Sequence, residues 1–258
     1  MRTAGTGAAP RLALEEAAAV SWWTGDRIAF DRLALWLSYR IGAVEEGGEG
    51  LIRTAWAARR LAAAGGGGMD AAVAEVMGAE GRGDALLAGE VAGALAGLAG
   101  LSAVTRGCAL FHLWRSLDER PEHLRGLEAA VLGARLAAGL GGGLPFLPLA
   151  LTGFGALTAK GAVDRRLAGW VRGAHQAVLS ALMTLERLSL WRARAEGETA
   201  DLQGRTPTRL IAALAAHPML GAAQAEAQTG ASRAAEQRNL DMLEARGLVR
   251  EVTGQGRF

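Results

Sequence analysis

Cysteine, lysine and aromatic residues are scarce in this 258-residue chain. Cys108 is the only cysteine, Lys160 is the only lysine, and aromatic residues make up 5% of the sequence. A single cysteine excludes an intramolecular disulfide framework. The N-terminus also lacks the basic start, apolar core and cleavage site of a secretory signal. Together these absences predict a cytoplasmic protein.

Recognisable catalytic motifs are missing as well. Lys160 lies between Ala159 and Gly161 and not in the Gly-Lys-Ser/Thr run of a P-loop. The HExxH, GxSxG and paired-cysteine zinc motifs are absent. Cys108 and His112 are four residues apart, but two ligands make no closed metal site and their apolar neighbours favour a place in the core. We therefore predict no enzyme activity, metal or cofactor; an enzyme with an unrecognised site in the helical body remains an alternative.

The residues that are abundant favour helices. Half of the chain is hydrophobic, and alanine and leucine outnumber the β-branched and aromatic residues that are typical of strands. Residues 136–159 carry no charge and approach the ~20 residues that span a bilayer. Pro145, Pro148 and a run of glycines interrupt this stretch, so it is interpreted as a buried, extended connection, with a spanning helix as the alternative. We expect no membrane partner.

Glycine and proline residues, which interrupt helices, divide the chain into four parts. We expect a disordered N-terminus over residues 1–10, an α-helical body over 11–191, a charged linker over 192–204 and a C-terminal module over 205–258. The body ends in a long helix, 163–191, with apolar residues at heptad spacing. They are Leu167, Val171, Ala174, Val178, Ala181, Leu185 and Leu188. This face predicts either the seam of a homodimer or packing inside a helical bundle.

The C-terminal module has the order of a winged helix-turn-helix. Helices are predicted over 208–216 and 220–228, and Gly230 makes the turn before a third helix that Ser232 caps and Gly247 ends. The later helix of such a motif enters the major groove of DNA. Residues 248–258 contain two β-capable runs around a glycine-bearing turn, which predicts a β-hairpin, the wing. The predicted fold is therefore mainly α with one short hairpin.

Six residues of this module are predicted to meet DNA. Inward packing of Leu240 and Leu243 leaves polar residues of the third helix toward solvent, and the wing adds two arginines. The candidates are Ser232, Arg233, Gln237, Arg238, Arg250 and Arg257. Arginine and glutamine are suited to guanine and adenine edges and to phosphate. Five acidic residues nearly cancel the seven arginines of the module, so DNA binding requires that the two charges lie on different faces.

The run from Ser232 to Phe258 resembles the recognition helix and wing of regulators of the MarR type and of winged modules that follow some Fic domains. More broadly, residues 144–258 are similar to an alphaproteobacterial family of unknown function. Its members join an α-helical body to a C-terminal helix-turn-helix that ends in REVTGxGR, here Arg250 to Arg257. The resemblance implies double-stranded DNA as the partner.

Two functional hypotheses follow from these features. The first is a DNA-binding transcriptional regulator whose helical body dimerises or senses a partner. The second is a protein-interaction module of a plasmid, phage or defence system, in which the winged helix binds protein. The distribution of the C-terminal arginines over the module's faces separates the two.

Overall fold

The computed structural model describes residues 5–39, 48–63, 85–139 and 143–252, and these residues form helices joined by turns and irregular connections. The helices are α1 (Gly5–Thr24), α2 (Phe30–Tyr39), α3 (Gly48–Ala62), α4 (Ala85–Ala96), α5 (Ala103–Leu117), α6 (Glu122–Ala138), α7 (Gly155–Thr158), α8 (Val163–Glu198), α9 (Thr206–Ala216), α10 (Ala222–Thr229) and α11 (Arg233–Ala245). The first helix begins before residue 11, where the sequence suggested disorder, because Ala8 and Ala9 are buried.

The core of the body depends on a close approach of α5 and α6. A Cβ at Gly107 would lie 2.5 Å from the carbonyl oxygen of Gly133, so only glycine fits at this crossing. Beside it, the rings of Phe111 and Trp170 lie 5.3 Å apart, and both side chains are fully buried. Trp170 belongs to α8. The long helix is therefore anchored to the body near its N-terminal end.

The uncharged stretch 136–159 begins in the last turn of α6 and leads along the chain towards α8. Within its described part, Phe146 and Leu149 are buried and the backbone is irregular up to α7. The carboxylate of Glu16 in α1 accepts hydrogen bonds from the backbone N–H of Leu149 at 2.7 Å and of Ala150 at 3.0 Å. Polar backbone groups in this segment thus find partners inside the protein. Across the described ranges, no helix has the length and apolar character needed to cross a membrane.

The long helix α8 directs its heptad face into the body. Ala174 and Ala181 are buried, and Leu167 and Leu185 pack against the same core cluster. Bundle packing thus accounts for most of the predicted seam, although Val171 is exposed. The helix also continues to Glu198, through most of the predicted linker, because its later turns pack against the C-terminal module.

The predicted wing is wrong, since the described residues contain no β-strand. The backbone that follows α11 makes its hydrogen bonds elsewhere. The Leu248 N–H donates to the Leu243 carbonyl at 2.9 Å, and the Leu248 carbonyl accepts from the Trp191 indole at 3.0 Å. The Glu251 N–H donates to the Glu244 carboxylate at 3.0 Å. Residues 253–258, which include Arg257 and the predicted second strand, lie outside the described residues.

Candidate nucleic-acid interface

Helices α9, α10 and α11 form a three-helix unit with its own core. Leu210, Ile211, Ala225, Leu240 and Leu243 are buried together in it. Gly230 follows α10 with φ +70°, a left-handed conformation that glycine adopts at low cost. Gly247 follows α11 with φ +66° in the same role. We refer to α9–α11 as the helix-turn-helix unit.

A buried carboxylate fixes the turn between α10 and α11. Glu236 is fully buried, and its Oε1 accepts a hydrogen bond from the hydroxyl of Thr229. The same hydroxyl accepts from the N–H of Ala231 at 3.1 Å. Since Glu236 lies one turn before Leu240 on the inward face of α11, these bonds set the rotation of the helix about its axis. The sequence gives no local sign of this, because a glutamate in a helix is usually solvated.

The predicted contact residues of α11 lie where that rotation exposes them. Ser232 caps the helix and is exposed, and its side chain makes no capping hydrogen bond within the described structure. Arg233 and Arg238 are exposed on the first two turns. Gln237 is half-buried and donates to the Asp241 carboxylate at 2.8 Å. The first half of α11 therefore presents side chains of the types that can contact bases.

Charge is divided along the exposed surface of α11. Arg233 and Arg238 lie in its first half, while Asp241 and Glu244 are exposed in its second half. The partial positive charge of the helix N-terminus adds to the basic end. On α11 itself the exposed arginines therefore precede the exposed acidic residues, although Arg250 is exposed beyond the acidic end.

The structure adds one arginine that sequence reasoning missed. Arg209 in α9 is exposed and donates from Nη1 to the carbonyl of Thr229 at 2.7 Å, which places its guanidinium at the turn before α11. Arg250 is exposed after the end of α11. The only sequence sign of Arg209 was its position in the first turn of α9.

The helix-turn-helix unit is joined to the body by several side chains. Ala195 of α8 is buried in the unit's core, and the Trp191 indole donates to Leu248. Arg246 pairs with Asp201 through two hydrogen bonds of 2.7 and 2.8 Å, which lowers the pKa of that carboxyl. The hydroxyl of Ser38 in α2 donates to the Met219 carbonyl at 2.9 Å. These contacts hold the unit on the end of α8 and against α2.

A cavity of about 540 Å³ lies between the body and the helix-turn-helix unit. Arg11 and Glu15 of α1 line one side, and burial lowers the pKa of Arg11 and raises that of Glu15. Trp191, Leu240 and Arg250 line the other side. The cavity wall thus connects α1 of the body with the buried face of α11.

Cys108 and His112 lie in the body, away from this interface. Burial raises the pKa of the Cys108 thiol to about 11. Burial, together with the charges of Arg166 and Arg115, lowers the pKa of His112 to about 4. Both groups are therefore neutral at physiological pH and do not form a thiolate–imidazolium pair. In the part of the chain that the structure describes, no three His, Cys, Asp or Glu residues are grouped to hold a metal ion.

Comparison of the chain with protein-family models, with curated proteins and with solved structures gives no match.

Proposed function

We propose that this chain binds double-stranded DNA through the N-terminal half of α11 and acts as a transcriptional regulator. The observation that carries the proposal is the exposure of Arg233 and Arg238, with Gln237 between them, at the start of the third helix of a helix-turn-helix unit. In this motif, residues near the N-terminus of the recognition helix contact base edges in the major groove.

The chemistry of the exposed groups divides into base contacts and phosphate contacts. Arg233 and Gln237 can make bidentate hydrogen bonds, arginine to guanine and glutamine to adenine. Arg209 at the turn and the N-terminus of α11 suit phosphate oxygens. Glu244 lies toward the other end of α11, whereas Asp241 accepts a hydrogen bond from Gln237 at 2.8 Å, a bond that Gln237 exchanges for its contact with adenine.

Binding to selected and scrambled duplexes tests the proposal. A preferred site is first selected from a pool of random-sequence duplexes, and affinities for that site and for a scrambled duplex are then measured at two salt concentrations. Arg233→Ala should weaken binding to the selected site by ~1–3 kcal/mol and leave the scrambled duplex almost unaffected. Arg209→Ala should weaken binding to both duplexes, and the slope of log affinity against log salt concentration should decrease by about one.

Lys160→Ala is the matched control for loss of one positive charge. Lys160 is exposed in the body just before α8, and this helix of 36 residues is ~54 Å long. Replacing Lys160 should leave the affinities for the selected and the scrambled duplex unchanged. If the wild type selects no duplex, or if folded Arg233→Ala and Arg209→Ala variants bind DNA like the wild type, DNA binding by α11 is wrong. The interaction-module hypothesis then takes its place.

A further inference from the structure

The outward face of α8 carries a largely apolar stripe that the described residues of the body leave exposed. Its members are Val171, His175, Leu179, Leu182, Glu186 and Leu190, all exposed. We call this set the outer stripe. Leu190 is 66% exposed and Leu182 is 52% exposed, although both belong to a well-formed helix. Large apolar side chains left in solvent along one helix face, here with two ionisable residues among them, are typical of an interaction surface.

The spacing of the outer stripe is the same in both directions along the helix. Its successive members are four, four, three, four and four residues apart. Such an 11-residue pattern keeps side chains on one face of an almost straight helix, since 11 residues are close to three turns. The midpoint of the pattern lies between Ser180 and Ala181. A second copy of the helix, turned end to end about that midpoint, presents the same pattern.

The chemistry of the outer stripe matches this antiparallel arrangement. Leu179 of one copy meets Leu182 of the other, and His175 meets Glu186. Val171 likewise meets Leu190. Every apolar position then faces an apolar one, and the two ionisable positions face each other as hydrogen-bonding partners. A parallel pair would instead place each Glu186 beside its equivalent, which is unfavourable.

The residues beyond the two ends of the outer stripe are also complementary between two antiparallel copies of α8. Ala168 and Ala193 are exposed and occupy equivalent places, so the ends of the helices can approach closely. Further out, on the flanks of the pair, exposed Arg165 in one copy lies at the same height along the axis as exposed Glu196 in the other. Glu196 also accepts from Arg192 of its own helix at 2.8 Å, which orients its carboxylate. Opposite charges at mirrored positions favour self-association in this one orientation.

We propose that the chain forms a twofold homodimer in which the outer stripes of two α8 helices pair antiparallel. Twofold dimers use the same patch on both subunits, as this self-complementary stripe requires. Apart from Val171, which belongs to both, the outer stripe differs from the heptad seam suggested by the sequence, most of which packs into the body. The proposal does not rest on DNA binding, but a twofold dimer of helix-turn-helix proteins would suit an inverted pair of DNA half-sites.

The mass of the protein in solution tests the dimer. Light scattering of the full chain should give the mass of two chains, and Leu179→Glu should give the mass of one chain with unchanged helix content by circular dichroism. Val163→Glu is the matched control, because Val163 is 75% exposed on the same helix but lies outside the outer stripe. It should remain dimeric. A monomeric wild type, or a folded Leu179→Glu variant that stays dimeric, overturns the proposal.

Cross-linking tests the orientation. Val171→Cys and Leu190→Cys are produced separately and also co-expressed, and interchain disulfides are detected after oxidation. Antiparallel pairing predicts a cross-linked dimer only on co-expression, since in this arrangement the two positions 171 are ~28 Å apart along the axis. The native thiol of Cys108 is buried and does not compete. A cross-link in either variant alone contradicts the orientation. Because neither assay contains DNA, failure here is distinct from failure of DNA binding.

Discussion

The buried carboxylate of Glu16 should make the stability of the body depend on pH. Glu16 is 1% exposed on α1, and its neighbours include Leu61, Leu127 and Val131. Its hydrogen bonds come from the backbone that leads from Leu149 toward α7. The perturbation that isolates it is Glu16→Gln, which keeps an oxygen acceptor for these N–H groups but cannot ionise.

The expected magnitude follows from the pKa of this carboxyl. Burial raises the pKa of Glu16 from 4.5 to about 7, against the backbone hydrogen bonds that favour the charged form. Between these two values the folded protein keeps a proton that the unfolded chain has released. The free energy of unfolding therefore falls as the pH rises through this window and is flat above it. At about 1.4 kcal/mol per pKa unit the whole loss is ~3 kcal/mol.

Urea unfolding followed by circular dichroism, at several pH values from about 5 to about 8, measures this effect. Other carboxyls also titrate, so the useful quantity is the free energy of unfolding of Glu16→Gln minus that of the wild type. This difference should rise by ~2.5 kcal/mol across the range. Glu119→Gln, which changes an exposed glutamate, should show almost no such rise. If Glu16→Gln and the wild type have parallel pH profiles, Glu16 ionises in its ordinary range and the reasoning fails.

Two further predictions concern packing in the body and a hydrogen bond to the helix-turn-helix unit. A Cβ at Gly173 would lie 2.3 Å from the Ala156 nitrogen, so Gly173→Ala should lower the free energy of unfolding by ~1–3 kcal/mol. A Cβ at Gly93 would have no described atom within 4 Å, so Gly93→Ala should raise the free energy of unfolding by up to ~1 kcal/mol. Equal urea midpoints for the two variants would contradict this account of the packing. Trp191→Phe removes the hydrogen bond to Leu248 and should destabilise α11 by ~1 kcal/mol. Amide hydrogen exchange measures this change, and unchanged protection of α11 would refute the prediction.

The sequence predicted those features that depend on short-range rules. The glycine turns at Gly230 and Gly247 follow from the conformational freedom of glycine at helix ends, and both have positive φ. The heptad pattern in 163–191 follows from helical periodicity, and most of it faces the core. The three helices of the C-terminal unit are likewise present. Each of these inferences used residues within about one or two helical turns of one another.

Features that depend on distant partners could not be predicted. The run after Gly247 has the composition of a strand. The Leu248 carbonyl, however, accepts its hydrogen bond from the Trp191 indole, 57 positions away in the sequence. The burial of Glu236 depends on the Thr229 hydroxyl at the other side of a turn. The outer stripe was hidden because the heptad face is the stronger signal on the same helix. In each case the decisive group lies on another element or on another face.

The continuity of α8 links the two proposals of this structure. Ala195 near its C-terminal end is buried in the core of the helix-turn-helix unit, and the midpoint of the outer stripe lies between Ser180 and Ala181. Since one unbroken helix joins these points, the proposed dimer contact and the helix-turn-helix unit are separated by a rigid spacer and not by a flexible linker. With a rise of ~1.5 Å per residue, an antiparallel pair holds the two copies of Glu198 ~52 Å apart along the axis. This exceeds the ~34 Å of one turn of DNA. In the proposed dimer the length of α8, and not a linker, therefore sets the separation of the two helix-turn-helix units.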